Sequence, residues 1–204
     1  MRPVLPGIST WSWFSEEKQI EFNGHLLEVG EHRILVDPPL LPDADLAQLK
    51  AAGGVDYILL TNRDHIREAA RYRDELHARV YVPKADAPEM SVTPDKTFVD
   101  GELLPGGLWV IHLADQKSPG ESALFLQQGR GILLVGDALL GKPAGSVSLL
   151  PDAKYADPAR AREGVRRVLN YRFDSLLVGD GASIMTGAKA VVERTLLTTI
   201  PGQP

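Results

Sequence analysis

The sequence contains no cysteine. A disulfide framework, thiolate metal ligation and a cysteine nucleophile are therefore excluded, and a cytoplasmic setting is the expectation. An excess of positive charge is also lacking: 22 Lys and Arg stand against 27 Asp and Glu, a net charge of −5. Nucleic-acid-binding domains usually carry a basic footprint, so no nucleic-acid partner is expected. No uncharged apolar run reaches the roughly 20 residues of a membrane span, and no membrane partner is expected. The opening residues Met1-Arg2-Pro3-Val4-Leu5-Pro6 lack the apolar stretch of a secretory signal. Low-complexity tracts and internal linkers are missing too. What remains is a mixed-charge chain of 204 residues, 44% of them hydrophobic, enough for one substantial core. A single domain over residues 1–204 is expected.

The apolar runs Ile20 to Val29 and Arg33 to Val36 flank Gly30-Glu31-His32 and predict a hairpin, which Asp37-Pro38-Pro39 stops. Asp43 suits an N-cap for a helix over 44–52, closed by Gly53-Gly54. A short strand over 56–60 precedes a helix over 66–77, and a strand follows over 79–82. Residues 83–101 read as loop. Strands are predicted over 108–113, 123–127, 132–135 and 175–178, with helices over 158–169 and 188–197. Two halves, each strands then helix, suggest two sheets packed face to face with helices outside.

In layered folds of this kind, ligands sit beyond the C-terminal ends of strands. Four loops follow apolar runs and bear ionisable groups there: Thr61 to Arg67, Asp115 to Gly120, Gly136-Asp137 and Gly179-Asp180-Gly181. Taken singly, such a Gly-Asp is an ordinary turn and Lys117 a solvated loop residue. Taken together, with the run from His25 to Pro38, the strand Ile58-Leu59-Leu60-Thr61 and the segments Ser118-Pro119-Gly120 and Leu134-Val135-Gly136-Asp137, they are more informative. From about Phe22 to Leu197 the chain resembles the metallo-β-lactamase superfamily. These segments match, in order, that family's I-D-x-G turn, T-H-x-H-x-D-H loop, H-[ST]-P-G-S strand, G-D-[TA]-L motif and closing G-H-G. The resemblance implies an α/β fold: a four-layer αββα sandwich of two mixed β-sheets.

The metal ligands implied by the resemblance are largely replaced. With Thr61 matched, the first-site histidines fall on Asn62 and Asp64. The second-site aspartate and histidine fall on Ile66 and Arg67. Lys117 stands for the histidine before Ser-Pro-Gly, and Asp180 for the last histidine. The bridging aspartate is kept as Asp137. A second alignment matches Asp64-His65 to the D-H pair and retains His65 as a ligand. Either way Asp64, Asp137 and Asp180 would share one cleft. Two unit charges about 4 Å apart repel by roughly 4 kcal/mol at an effective dielectric near 20, so the carboxylates need compensation.

One divalent ion (zinc, manganese, magnesium or iron) held by Asp64, His65, Asp137 and Asp180 would supply it. Arg67 and Lys117 would supply it without a cofactor, and this is preferred, because a cation pointing into a metal site competes with the metal. Asp64, Lys117, Asp137 and Asp180 are thus the candidate catalytic residues. Asn62 and Arg67 are candidates for substrate binding, together with Trp11 and Trp13 as an apolar flap over the cleft. The resemblance implies a hydrolase-like protein with a rebuilt site. A non-catalytic protein that binds a small anionic molecule or a partner on the same fold is the alternative.

Overall fold

The strand-rich first third forms most of one sheet. A computed structural model describes residues 1–197. Its first elements are β1 (Arg2–Leu5), β2 (Ile8–Ser15), β3 (Ile20–Val29), β4 (His32–Val36), α1 (Asp43–Ala51), β5 (Tyr57–Leu59), α2 (Ala69–Leu76), β6 (Arg79–Pro83) and β7 (Lys96–Phe98). The second part contributes β8 (Leu103–Leu104), β9 (Leu108–His112), β10 (Ser122–Leu126), β11 (Ile132–Val135), α3 (Pro158–Arg166), β12 (Ser175–Val178) and α4 (Ala188–Leu197). The strands make a seven-stranded sheet in sequence order, β1 to β7, and a five-stranded sheet in the order β12-β11-β10-β9-β8. Both are mixed. The first is antiparallel as far as β4 and parallel beyond it, and the second is parallel only between β11 and β12.

Side-chain alternation along the central strands builds the layers. In β4, Ile34 and Val36 point between the sheets, where they meet Leu59, Leu108, Leu124 and Leu134. Leu35 points outward with Ile58 and Val80, onto Leu46 and Leu49 of α1 and Tyr72 and Leu76 of α2. On the far side Ile111, Leu133 and Leu176 face Val165 of α3 and Val192 of α4. Each fully buried side chain of this size contributes roughly 1.5–3 kcal/mol. The result is the expected αββα sandwich.

Several boundaries differ from expectation. Strands β1 and β2 form an N-terminal hairpin that propensity did not reveal, and Trp11 to Phe14 lie in β2. The stretch 83–101 carries the edge strand β7. Asp43 is the first helical residue rather than the cap, which is Pro42. The helix expected from Ile66 starts at Ala69. Residues 63–65 form a 3₁₀ turn capped by Asn62, and Arg67 has φ +45°, a left-handed conformation that no α-helix continues. Helix α3 ends at Arg166 and runs on as a 3₁₀ turn over 167–170.

Candidate functional site

The loops leaving β4, β5, β11 and β12, with the loop entering β10, meet at one edge of the sandwich. Asp37, just past β4, is 1% exposed. Its Oδ1 accepts a hydrogen bond from the Thr61 amide at 2.8 Å. Its Oδ2 accepts one from the Thr61 hydroxyl at 2.6 Å and faces His65 Nδ1 at 2.8 Å. The other ring nitrogen of His65 faces Asp137 Oδ1 at 3.2 Å and lies 4.0 Å from Asp180 Oδ1. His65 is therefore an imidazole clamped between carboxylates. Burial and the nearby Arg67 oppose its protonation, but Asp37 and Asp137 prevail and raise it to about 10.

Glycines make this approach possible. A Cβ on Gly179 would lie 2.5 Å from His65 Cε1, and one on Gly136 would lie 2.3 Å from Thr61 Oγ1 and 2.5 Å from Asn62 Nδ2. The Gly-Asp pairs at 136–137 and 179–180 thus owe their glycines to close packing under the site.

Arg67 occupies the other flank. Its Nη1 donates to the carbonyls of Asn23 at 2.6 Å and Asp37 at 3.0 Å. Its Nη2 donates to Gly179 O at 3.1 Å and Asp180 Oδ1 at 2.6 Å. The guanidinium also lies over the Phe22 ring, 4.8 Å from its centroid, a cation–π contact. Burial, with Asp137 and Asp37, pushes the Asp180 carboxyl above its ordinary range against the pull of His65 and Arg67. At the mouth, Lys117 Nζ is 2.8 Å from Asp64 Oδ2 and 3.6 Å from Asp137 Oδ2. Asp137 is held down at about 2, since His65, Lys117 and Arg67 together outweigh its burial.

Two further acids anchor the loop before β10. Asp86, fully buried, accepts from the Ser118 hydroxyl, from the Gly120 amide at 2.8 Å and from the Arg63 amide at 2.9 Å. Glu121, also fully buried, accepts from the Asp137 and Ala138 amides at 3.0 and 3.3 Å through Oε1. Among the described residues its Oε2 has no partner, and neither has Asn62 Nδ2. Burial, reinforced by Asp137, raises the Glu121 carboxyl well above the usual range, which favours its neutral form beneath the site.

Of the residues singled out from sequence, Asn62, Asp64, Arg67, Lys117, Asp137 and Asp180 come together. His65 and Arg67 both reach Asp180, so the residues that the two alignments set against each other share one site. Trp13 is 42% exposed and its ring is 5.9 Å from Phe22, which joins it to Arg67. Trp11 is a correction. It is buried, donates to Pro39 O at 3.1 Å and packs with Leu26, Leu35 and Leu41, because alternation along β2 turns it onto the helix-covered face. Asp37 and Glu121 were missed as site residues. Asp37 stood in a recognisable turn motif, but nothing in its neighbours marks it as a side-chain acceptor. Glu121 follows Ser-Pro-Gly, and no local pattern distinguishes it from a solvated glutamate.

Lys117 is 36% exposed, so its pairs fall in the weak range of surface ion pairs rather than that of buried ones. Lys117→Met should cost about 1 kcal/mol by urea unfolding at neutral pH, and less in an Asp137→Asn background. A folded-state carboxyl held down, as at Asp137, stabilises above the ordinary aspartate value and ceases to do so as pH falls through about 2. The gap between Lys117→Met and wild type should therefore begin to narrow below about pH 4 and close near pH 2. A loss above about 3 kcal/mol would place Lys117 among buried pairs instead.

A sequence model described as metallo-β-lactamase superfamily matches residues 2–199. A search of curated proteins found no match. Similar solved structures include a metallo-β-lactamase from Pontibacter korlensis, 18% identical over 93% of this chain and 92% of that one, with TM-score 0.72. The di-iron-bound form of TTHA1623 is 26% identical over 91% and 98%, with TM-score 0.69. The DIM-1 metallo-β-lactamase exposed to ceftazidime is 12% identical over 97% and 95%, with TM-score 0.75.

Proposed function

Since the chain belongs to the metallo-β-lactamase superfamily, we propose that it is a member whose side-chain cations have taken over the charge role of the metals. Its cleft then works by binding a small anionic molecule rather than by metal-assisted hydrolysis. The observation that carries this reading is the saturation of Arg67. Both terminal nitrogens of the guanidinium are fully engaged, one of them with the Asp180 oxygen that a cation would need. A guanidinium keeps its proton at any accessible pH. Arg67, His65 and Lys117 together face Asp37, Asp64, Asp137 and Asp180, so the cluster is close to neutral. Two divalent ions would leave it strongly positive. The residues present do not fit a two-metal centre.

Acid–base chemistry is also poorly served. A general acid or base works best with a pKa near the operating pH, whereas His65 is raised to about 10 and Asp137 lowered to about 2. Both stay charged at neutrality. Lys117, partly exposed at the mouth, is the cation a small anion would meet first.

A second reading rests on one feature. Ligand atoms of His65, Asp137 and Asp180 lie within 4.8 Å of one another, which suits a single divalent ion if Arg67 were displaced. In that case the protein would be hydrolase-like. Elemental analysis of protein grown with added zinc, iron and manganese separates the two. The expected result is substoichiometric metal and no ester, thioester or phosphodiester hydrolysis that Asp137→Asn abolishes. Two equivalents of zinc or iron retained through dialysis would overturn the proposal, and one equivalent would favour the second reading.

A further inference from the structure

A cavity apart from the ionic cluster lies against one face of the β2–β3 hairpin. Along β2 and β3, Trp13 pairs with Phe22 on the face that meets Arg67, while Ser12 pairs with Asn23 and Phe14 with Glu21 on the opposite face. That opposite face, closed by the loops at 141–142 and 181–185, encloses a cavity of about 570 Å³. Its volume is in the range of small-molecule sites. None of His65, Arg67, Lys117, Asp137 or Asp180 lines it.

The floor is satisfied within the protein. The Ser12 hydroxyl donates to Asn23 Oδ1 at 2.7 Å, and Asn23 Nδ2 donates to Val178 O at 2.9 Å and Gly181 O at 2.7 Å. The Thr10 hydroxyl donates to Gly24 O at 3.0 Å. These groups fix the shape and leave little demand for a ligand. Val4, Phe14, Ile20 and Met185 give the cavity an apolar side. The rim carries the charge: Arg2 and Lys142 against the single carboxylate of Glu21. Lys142 touches only a backbone carbonyl, that of Gln19 at 3.3 Å. Among the described residues, Arg2 and Glu21 form no ion pair or side-chain hydrogen bond. Unsatisfied rim cations over an apolar wall suit a molecule with one anionic head and an apolar body.

We propose that this cavity binds small amphipathic anions, a carboxylate or phosphate monoester on a short aliphatic body, with the head between Arg2 and Lys142 and the body against Phe14, Ile20 and Met185. The proposal goes beyond the ionic cluster and stands whether or not that cluster holds a metal.

The test is calorimetric titration of the full chain, tagged at its C-terminus to leave Arg2 undisturbed. The probes are hexanoate, hexyl phosphate and hexylamine. Saturable binding of hexanoate or hexyl phosphate, but not hexylamine, is expected, and the better of the two identifies the head group. An Arg2→Ala/Lys142→Ala variant should weaken it about tenfold, and Met185→Trp should block it from the apolar side. Either variant could perturb folding, so each is checked by its unfolding transition, and the rim variant, being on the surface, keeps the test decisive if Met185→Trp misfolds. Equal binding of hexylamine, no saturable binding of either anion, or indifference to the rim variant overturns the proposal. Metal content measured on the same samples reports separately on the ionic cluster, so the two readings fail independently.

Discussion

Replacing Arg67 by methionine is expected to cost about 3–5 kcal/mol of stability, the range for removing one partner of a buried ion pair. The Arg67 side chain is 7% exposed and that of Asp180 12%, so the carboxylate left behind cannot recover its hydration. The backbone carbonyls of Asn23 and Asp37 lose the guanidinium as donor in the same step, and that of Gly179 keeps only the Asn23 amide. Lysine should rescue little, because one ammonium cannot reproduce the forked geometry. Adding Asp180→Asn to Arg67→Met should return part of the loss, since the two groups are coupled. Urea unfolding of the single and double variants measures this. A loss under about 1 kcal/mol for Arg67→Met, the surface-pair range, would show that the guanidinium does not hold the site together, and the case against a two-metal centre would fall with it.

The second large effect is a gain. Glu121 is an acid whose folded-state carboxyl is raised well above the usual range by burial. In the unfolded chain it ionises near pH 4.3. Between those two values the unfolded state has released a proton that the folded state still holds, so stability falls as pH rises, by about 1.4 kcal/mol per pH unit. Glutamine has the same shape, can accept from the Asp137 and Ala138 amides as Oε1 does, and does not titrate. Glu121→Gln should therefore match wild type near pH 4 and exceed it increasingly toward pH 8. Thermal unfolding of both proteins across that range gives the difference directly, with the other titrating groups common to both. A flat difference would mean that the Glu121 carboxyl ionises in the folded state as readily as in the unfolded chain.

How much of this is legible in the sequence depends on the range of the interaction. The alternation Ile34-Leu35-Val36 shows that β4 is covered on both faces, and the structure places those side chains in two different cores. The strand ends that carry Asp137 and Asp180 are equally legible, because an apolar run stopped by Gly-Asp is a local signal. The role of those glycines is not. Gly136 is small because Thr61 and Asn62 press against it, a contact across 75 positions that no window of sequence contains. His65 was underrated for a related reason. A helix over 66–77 would turn it toward the helix's own neighbours, whereas the 3₁₀ turn and the left-handed Arg67 send it under the sheet edge to Asp37 and Asp137. The Trp11 and Trp13 pair shows the same limit. Period two puts both rings on one face of β2, but only the helix-covered core at Leu26, Leu35 and Leu41 decides that Trp11 is buried while Trp13, beyond that core, stays exposed.

The junction between Asn23 and the end of β12 has a bearing on how the protein comes to exist. Asn23 Nδ2 and Gly181 O lie 158 positions apart in the chain, and Phe22 bridges to Asp180 in the same place. Pairings between such distant segments are entropically costly to close and form slowly. The cleft is therefore complete only once β3 has met the loop that follows β12. Until then Asp180 has no arginine, His65 has at most part of its cage, and the carboxylates remain in water where they repel little. The geometry of this site therefore depends on both sheets at once, and neither half of the fold contains it alone.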